Sequence, residues 1–164
     1  MDAINELDHT AFVDRFGPLF EHSPWVAEAA WHDRPFADRE ELHEALVAAM
    51  YAAPRERKLA LIRAHPDLAG KAAIEGSLTA SSRGEQASAG LDRLTPDEYA
   101  AFTRTNTAYR ERFGMPFVVC VREHTKESIL RVAAERLANS DDEEIRVALE
   151  EIAKIARLRL EAMK

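Results

Sequence analysis

The segment His65-Pro66-Asp67-Leu68-Ala69-Gly70-Lys71 is followed at short range by Ser82-Arg83-Gly84-Glu85-Gln86 and Ala89-Gly90-Leu91. It sets an imidazole, a carboxylate, an amide and a hydroxyl between two helical stretches. A packing helix does not need these types at fixed separation, whereas proton transfer on a small polar molecule needs most of them. If the second segment is helical, Ser82, Glu85 and Gln86 stand at i, i+3 and i+4 and project from one face. His65 is the candidate general acid/base, since an imidazole titrates near neutrality and a carboxylate such as Glu85 would orient its ring. Two structural readings stay open. Ser82 and Glu85 also spell a capping box, and a histidine at a helix C-terminus can serve as a cap. Gly84 weighs against a purely structural helix, where glycine costs about 1 kcal/mol relative to alanine.

A cation comes from the other end of the chain. At about 100° per residue, Ile145, Ala148, Leu149, Ile152, Ile155, Ala156 and Met163 form one apolar arc of a helix, and Arg159 falls inside it. Arg146, Lys154, Arg157 and Lys164 fall on the opposite side. A guanidinium inside the arc must find a protein carboxylate or a bound anion, because an unpaired buried cation is too costly. Its planar fork suits a ligand carboxylate.

These groups need a scaffold, and the spacing of apolar residues at three and four predicts an all-α chain of about seven to eight helices with no significant sheet. At 164 residues the chain fits a single domain over 1–164. Asp8 caps a first helix bearing Phe12, Phe16 and Phe20, which Gly17-Pro18 interrupts. Ser23-Pro24 opens a short helix with Trp25 and Trp31. Asp38 with Glu41 starts the next, and Pro54 begins a fourth that ends at Ala64, because a residue before proline leaves helical geometry. Thr95-Pro96-Asp97-Glu98 starts a long helix, with Tyr99, Phe102, Asn106, Tyr109 and Phe113 on one face and Gly114 as its stop. Residues 115–121 read as an extended, buried, proline-containing segment. Thr125 caps a further helix, and Ser140 with Glu143 boxes the last. The acidic run 141–144 reads as first-turn charge complementing the helix dipole.

Composition narrows the function. A formal charge of −7 argues against nucleic acid or an anionic membrane as partner, and leaves room for a small anionic substrate. The single cysteine, Cys120, excludes an internal disulfide and reads as a buried, inert thiol. His9, His22, His32, His43 and His124 lack metal-ligand spacing and read as surface residues, so no metal is expected. Phosphate-loop, nucleophile-elbow and dinucleotide motifs are absent. With no basic-then-apolar leader and no apolar run able to span a bilayer, a cytoplasmic location is the expectation.

Five blocks in order carry a family resemblance: His65 to Gly70, Leu78-Thr79 with Ser82 to Gln86, Ala89-Gly90-Leu91, Phe113-Gly114-Met115-Pro116-Phe117, and Glu151-Ile152 leading to Arg159-Leu160. The chain resembles, nearly end to end, the 2-oxo-4-hydroxy-4-carboxy-5-ureidoimidazoline (OHCU) decarboxylases, which give (S)-allantoin in urate oxidation. Met115 stands where phenylalanine or isoleucine is common in the family. The resemblance implies an all-helical, cofactor-free carboxy-lyase, with dimers as the family habit. It implies that His65 is the catalytic histidine and Glu85 its partner carboxylate. Ser82, Gln86 and Arg159 become substrate-binding side chains, Pro66 part of the pocket wall, and Phe117, Val118 and Val119 a lining stretch that meets the ligand through main-chain groups. Under that reading His65, Glu85 and Arg159 share one small chamber. A non-catalytic helical module binding a partner or small anion, and an enzyme for another ureido acid, are the competing readings.

Overall fold

A computed structural model describes the backbone of residues 1–164 and every side chain except that of Ala72. The described backbone is all-α, with no strand among the described residues. Its helices are α1 (Asp2–Asn5), α2 (His9–Phe16), α3 (Trp25–Ala30), α4 (Arg39–Ala52), α5 (Arg55–Arg63), α6 (Lys71–Glu75), α7 (Ala80–Ser88), α8 (Pro96–Phe113), α9 (Lys126–Arg136) and α10 (Asp141–Ala162). Short 3-10 turns cover Gly17–Leu19, Trp31–Asp33 and Val121–Glu123. The helices beyond the expected number are short ones such as α1 and α6, whose four and five residues are too few to show an apolar period. No described helix is long and apolar enough to cross a membrane.

Caps explain most boundaries. Asp8 Oδ1 accepts from the Ala11 N–H at 2.8 Å and Asp38 Oδ1 from the Glu41 N–H at 2.9 Å. Thr95 and Glu98 form a reciprocal box at the start of α8, as Ser140 and Glu143 do before α10, each satisfying donors that a helix start leaves open. Gly114 closes α8 at φ +67°, a left-handed conformation that favours glycine. One start is shifted. Pro24, rather than Ser23, precedes α3, and the Ser23 hydroxyl donates to the Glu21 carbonyl at 2.9 Å.

The chain divides into two compact units. The first comprises Met1–Ala64 with Ala153–Lys164. There α3 packs against α2 and α4, and Phe12, Phe16, Val26, Leu42, Leu46 and Met50 are buried in its core. His43 is a correction to the surface reading. It is buried, with Nε2 2.9 Å from the Ala153 carbonyl oxygen, because it lies on the inward face of α4 between Leu42 and Leu46.

The second unit comprises His65–Ile152. In it α8 packs on α9, and α7 packs on the turn Val121–Glu123. Residues 115–121 are all buried, Cys120 among them, and 115–120 form no helix. Glu144 is a second correction. Asp141, Asp142 and Glu143 lie in solvent as expected of first-turn charge, but Glu144 is fully buried. It sits one helical turn before the buried Ala148 and so faces inward with the apolar arc.

Candidate functional site

The second unit gathers most of the candidate residues. α5 ends at Arg63 with Ala64 as its cap, so His65 follows in the loop 65–70, and it is buried. Three side chains hold that loop. Gln86 Oε1 accepts from the Ala69 N–H at 3.0 Å while its Nε2 donates to the Asp67 carbonyl at 3.4 Å. Asn106 Nδ2 donates to the Leu68 carbonyl at 2.9 Å. Arg110 Nε lies 3.0 Å from both Asp67 carboxylate oxygens. Ala69 sits at φ +52°, a conformation that few non-glycine residues adopt and that the surrounding contacts must enforce. Gly70 is required for packing, since a Cβ there would come 2.7 Å from the Asp67 Cβ.

On α7 the capping-box reading of Ser82 and Glu85 does not hold. Thr79 is the N-cap, its hydroxyl accepting from the Ser82 N–H at 3.2 Å. Ser82 and Glu85 therefore lie within the helix. Ser82 and Gln86 are buried and Glu85 is half-buried, so one polar face of α7 is withdrawn from water. A buried hydroxyl and amide at this spacing need hydrogen-bonding partners. Gln86 uses one acceptor site and one donor on the loop, and an amide carries a second of each. Phe117, Val118 and Val119 are buried in the lining stretch just before the turn on which α7 packs. Pro66 is half-buried beside His65.

Arg159 lies in the first unit. Its guanidinium is buried, with Nη2 donating to Glu21 Oε1 at 2.8 Å and Nη1 facing the Leu19 carbonyl at 3.3 Å and the Pro18 carbonyl at 3.4 Å. Of the two partners the sequence left open, a protein carboxylate is present. Glu21 was not singled out because its neighbours carry no helical period that marks it as inward. Replacing Glu21 with glutamine keeps the shape and removes the charge, and charge-assisted hydrogen bonds contribute about 2 kcal/mol. The expected outcome is a loss of about that size in urea unfolding. An unchanged midpoint would show that the pair contributes nothing.

The second unit also holds a cavity of about 480 Å³, lined by Gln86 but by none of His65, Ser82 or Glu85. Ala69, Ile74, Leu78, Leu91 and Leu94 give it a largely apolar wall.

Sequence reasoning passed over a second polar cluster. Arg136 Nε donates to Glu144 Oε1 at 2.7 Å, and Arg136 Nη2 and the Tyr109 hydroxyl donate to the same oxygen. Asn139 Nδ2 reaches Glu144 Oε2 at 3.0 Å. Arg136 Nη1 donates to the Val118 carbonyl at 2.7 Å, and its guanidinium carbon lies 4.5 Å from the Phe117 ring centre. Burial pushes the Glu144 carboxyl up to about 8 and the Arg136 guanidinium down to about 10, which the nearby Glu151 partly offsets.

The fold places the chain among small all-helical proteins, and its likeness to known ones narrows that class to carboxy-lyases. The chain belongs to the OHCU decarboxylase family, whose model matches residues 5–161. It is 45% identical over 160 residues to 2-oxo-4-hydroxy-4-carboxy-5-ureidoimidazoline decarboxylase of Haloferax volcanii, covering 98% of this chain and 93% of that protein. The corresponding protein of Amia calva is 44% identical, with 98% and 92% covered. A crystal structure of (S)-allantoin synthase superposes with a TM-score of 0.77 at 29% identity, covering 98% of this chain and 52% of that one.

Proposed function

We propose that this chain decarboxylates 2-oxo-4-hydroxy-4-carboxy-5-ureidoimidazoline to (S)-allantoin without a cofactor, as a single-domain cytoplasmic enzyme of urate breakdown. The observation that carries the reading is the buried polar face of α7, Ser82 and Gln86 with Glu85 beside them, held against the loop that bears His65. Membership of the family over 5–161 supplies the substrate.

The substrate explains the residue types. Its carboxylate sits on a carbon that also bears a hydroxyl and adjoins a C=N group. When the carbon–carboxylate bond breaks and CO₂ leaves, the electron pair forms a carbon–carbon double bond and the C=N pair moves to nitrogen, which takes a proton. The resulting enol loses its hydroxyl proton and gains one at the ureido-bearing carbon, giving the carbonyl of allantoin and its stereocentre. His65 accepts the hydroxyl proton, Glu85 orients the imidazole, and Ser82 and Gln86 bind the polar edge of the ring. Pro66 and the main chain of Phe117, Val118 and Val119 form the wall that presents one face for protonation. Arg159 holds an anionic group of the substrate, its fork kept in place by Glu21.

A coupled assay tests this. Urate, urate oxidase and hydroxyisourate hydrolase generate the substrate, and circular dichroism follows the product. The expected result is one allantoin enantiomer formed faster than in a control without this protein. Racemic product at the spontaneous rate would overturn the proposal.

A further inference from the structure

The extended stretch 115–120 has no helix or sheet to fix its peptide planes, yet the proposed reaction asks its main chain to face substrate. Two buried side chains outside the proposed site grip it. Arg136 Nη1 donates to the Val118 carbonyl at 2.7 Å, and Glu151 Oε2 accepts from the Cys120 N–H at 3.4 Å. In a trans peptide the C=O of one residue and the N–H of the next point in opposite directions. Anchoring the Val118 carbonyl on Arg136 therefore turns the Val119 N–H away from Arg136. Among the described residues that N–H meets no acceptor, although Val119 itself is buried. Buried N–H groups without a protein partner are rare and costly, and they mark places where something else accepts.

Arg136 is itself held rigidly. Glu144 takes two of its donors, Tyr109 and Asn139 complete that carboxylate, and the Phe117 ring lies under the guanidinium plane. Such a network fixes one rotamer of a side chain that otherwise has many. It also ties the ring of Phe117 and the carbonyl of Val118 to a single group.

We propose that Arg136 is a positioning residue of the decarboxylase, locking the Val118–Val119 peptide so that the Val119 N–H donates to a carbonyl oxygen of the ureidoimidazoline ring. This inference rests on the proposed function for its substrate. Arg136 touches no reacting atom. It acts through one peptide plane, and the face on which the intermediate is protonated depends on that plane staying put.

The test is the double variant Arg136→Met/Glu144→Gln, which removes both charges and keeps the volumes. Replacing a buried ion pair by neutral groups of similar size is tolerated far better than removing one partner, so the variant folds. Thr95→Ala, which loses only a distant helix cap worth about 1 kcal/mol, is the control for stability loss alone. The double variant is expected to lose about 30-fold in kcat/KM, within the 100-fold or so that an ångström of misplacement costs. Its product loses enantiomeric excess, and the 118–120 amides exchange faster with deuterium. Thr95→Ala keeps wild-type kinetics and stereochemistry. Wild-type kcat/KM, enantiomeric excess and amide exchange in the folded double variant would overturn the proposal. Should that variant not fold, Arg136→Lys, which keeps a cation beside Glu144 but cannot also span to the Val118 carbonyl, decides by the same readouts. Amide exchange needs no substrate, so an inactive wild-type protein would sink the functional reading while leaving the positioning claim to be judged on its own.

Discussion

Replacing His65 with asparagine is expected to lower kcat by about 100- to 10,000-fold, the range associated with a positioned general acid or base, while helical circular dichroism and Tm stay near wild type. The separation of the two effects follows from how the loop is built. Gln86, Asn106 and Arg110 grip it at Ala69, Leu68 and Asp67, so its path rests on three side chains other than the imidazole. α5 closes through backbone bonds from the Ala64 N–H to the Ala60 and Leu61 carbonyls. Asparagine fills part of the same space and keeps a polar group there. Glu85→Gln should act in the same direction with a smaller loss, since a carboxylate that orients a base is one step removed from the proton. Stopped-flow kinetics beside thermal melts provide the check. If His65→Asn lost Tm and activity together, the imidazole would be acting as a helix cap and the proposed base would have to be sought elsewhere.

How much of this was legible beforehand depends on whether a signal was local. The all-α class, the starts of α2, α4, α8 and α10, and the stop of α5 before Pro66 follow from caps, prolines and apolar periods a few residues long. So does the grouping of Ser82, Glu85 and Gln86. Their sharing of a capping box was a local reading that failed locally, because Thr79 stands three residues earlier and takes the Ser82 N–H. The partners of buried charges were not legible. Arg159 had to be satisfied, but Glu21 is 138 residues away in sequence and nothing in its surroundings points to it. Glu144 hid inside an acidic run, although its spacing from Ala148 puts it on the buried arc. Arg136 sat at the end of α9, where a basic residue is ordinarily a dipole partner facing water. Long-range electrostatic pairing has no period, and the sequence shows only that a charge lies on an apolar face and needs something.

That pairing sets up the other large effect. Arg136→Met alone removes the guanidinium and leaves Glu144, a fully buried carboxyl, with Tyr109 and Asn139 as its side-chain donors among the described residues. Below about pH 8 that carboxyl keeps its proton, so the loss there is that of buried hydrogen bonds, about 1–3 kcal/mol, still a large fraction of the stability of a domain this size. The loss should also depend on pH, in a definite direction. Burial already holds the Glu144 carboxyl at about 8 in the folded wild type against 4.5 when free. Between those values the folded state keeps a proton that the unfolded state has released, so stability falls as pH rises, and wild type and variant fall together. Above about pH 8 the wild-type carboxyl ionises beside Arg136 and its decline stops. Without the guanidinium the carboxyl is driven higher still, the folded variant keeps its proton, and its decline continues at about 1.4 kcal/mol per pH unit. Urea unfolding should therefore show a constant gap up to about pH 8 and a widening one up to about pH 10, where Arg136 in the wild type begins to titrate. Adding Glu144→Gln removes the titrating group, and the widening should vanish with it. A gap that stays flat in Arg136→Met from neutral to alkaline pH would mean that Glu144 has found another counter-charge or that water reaches it.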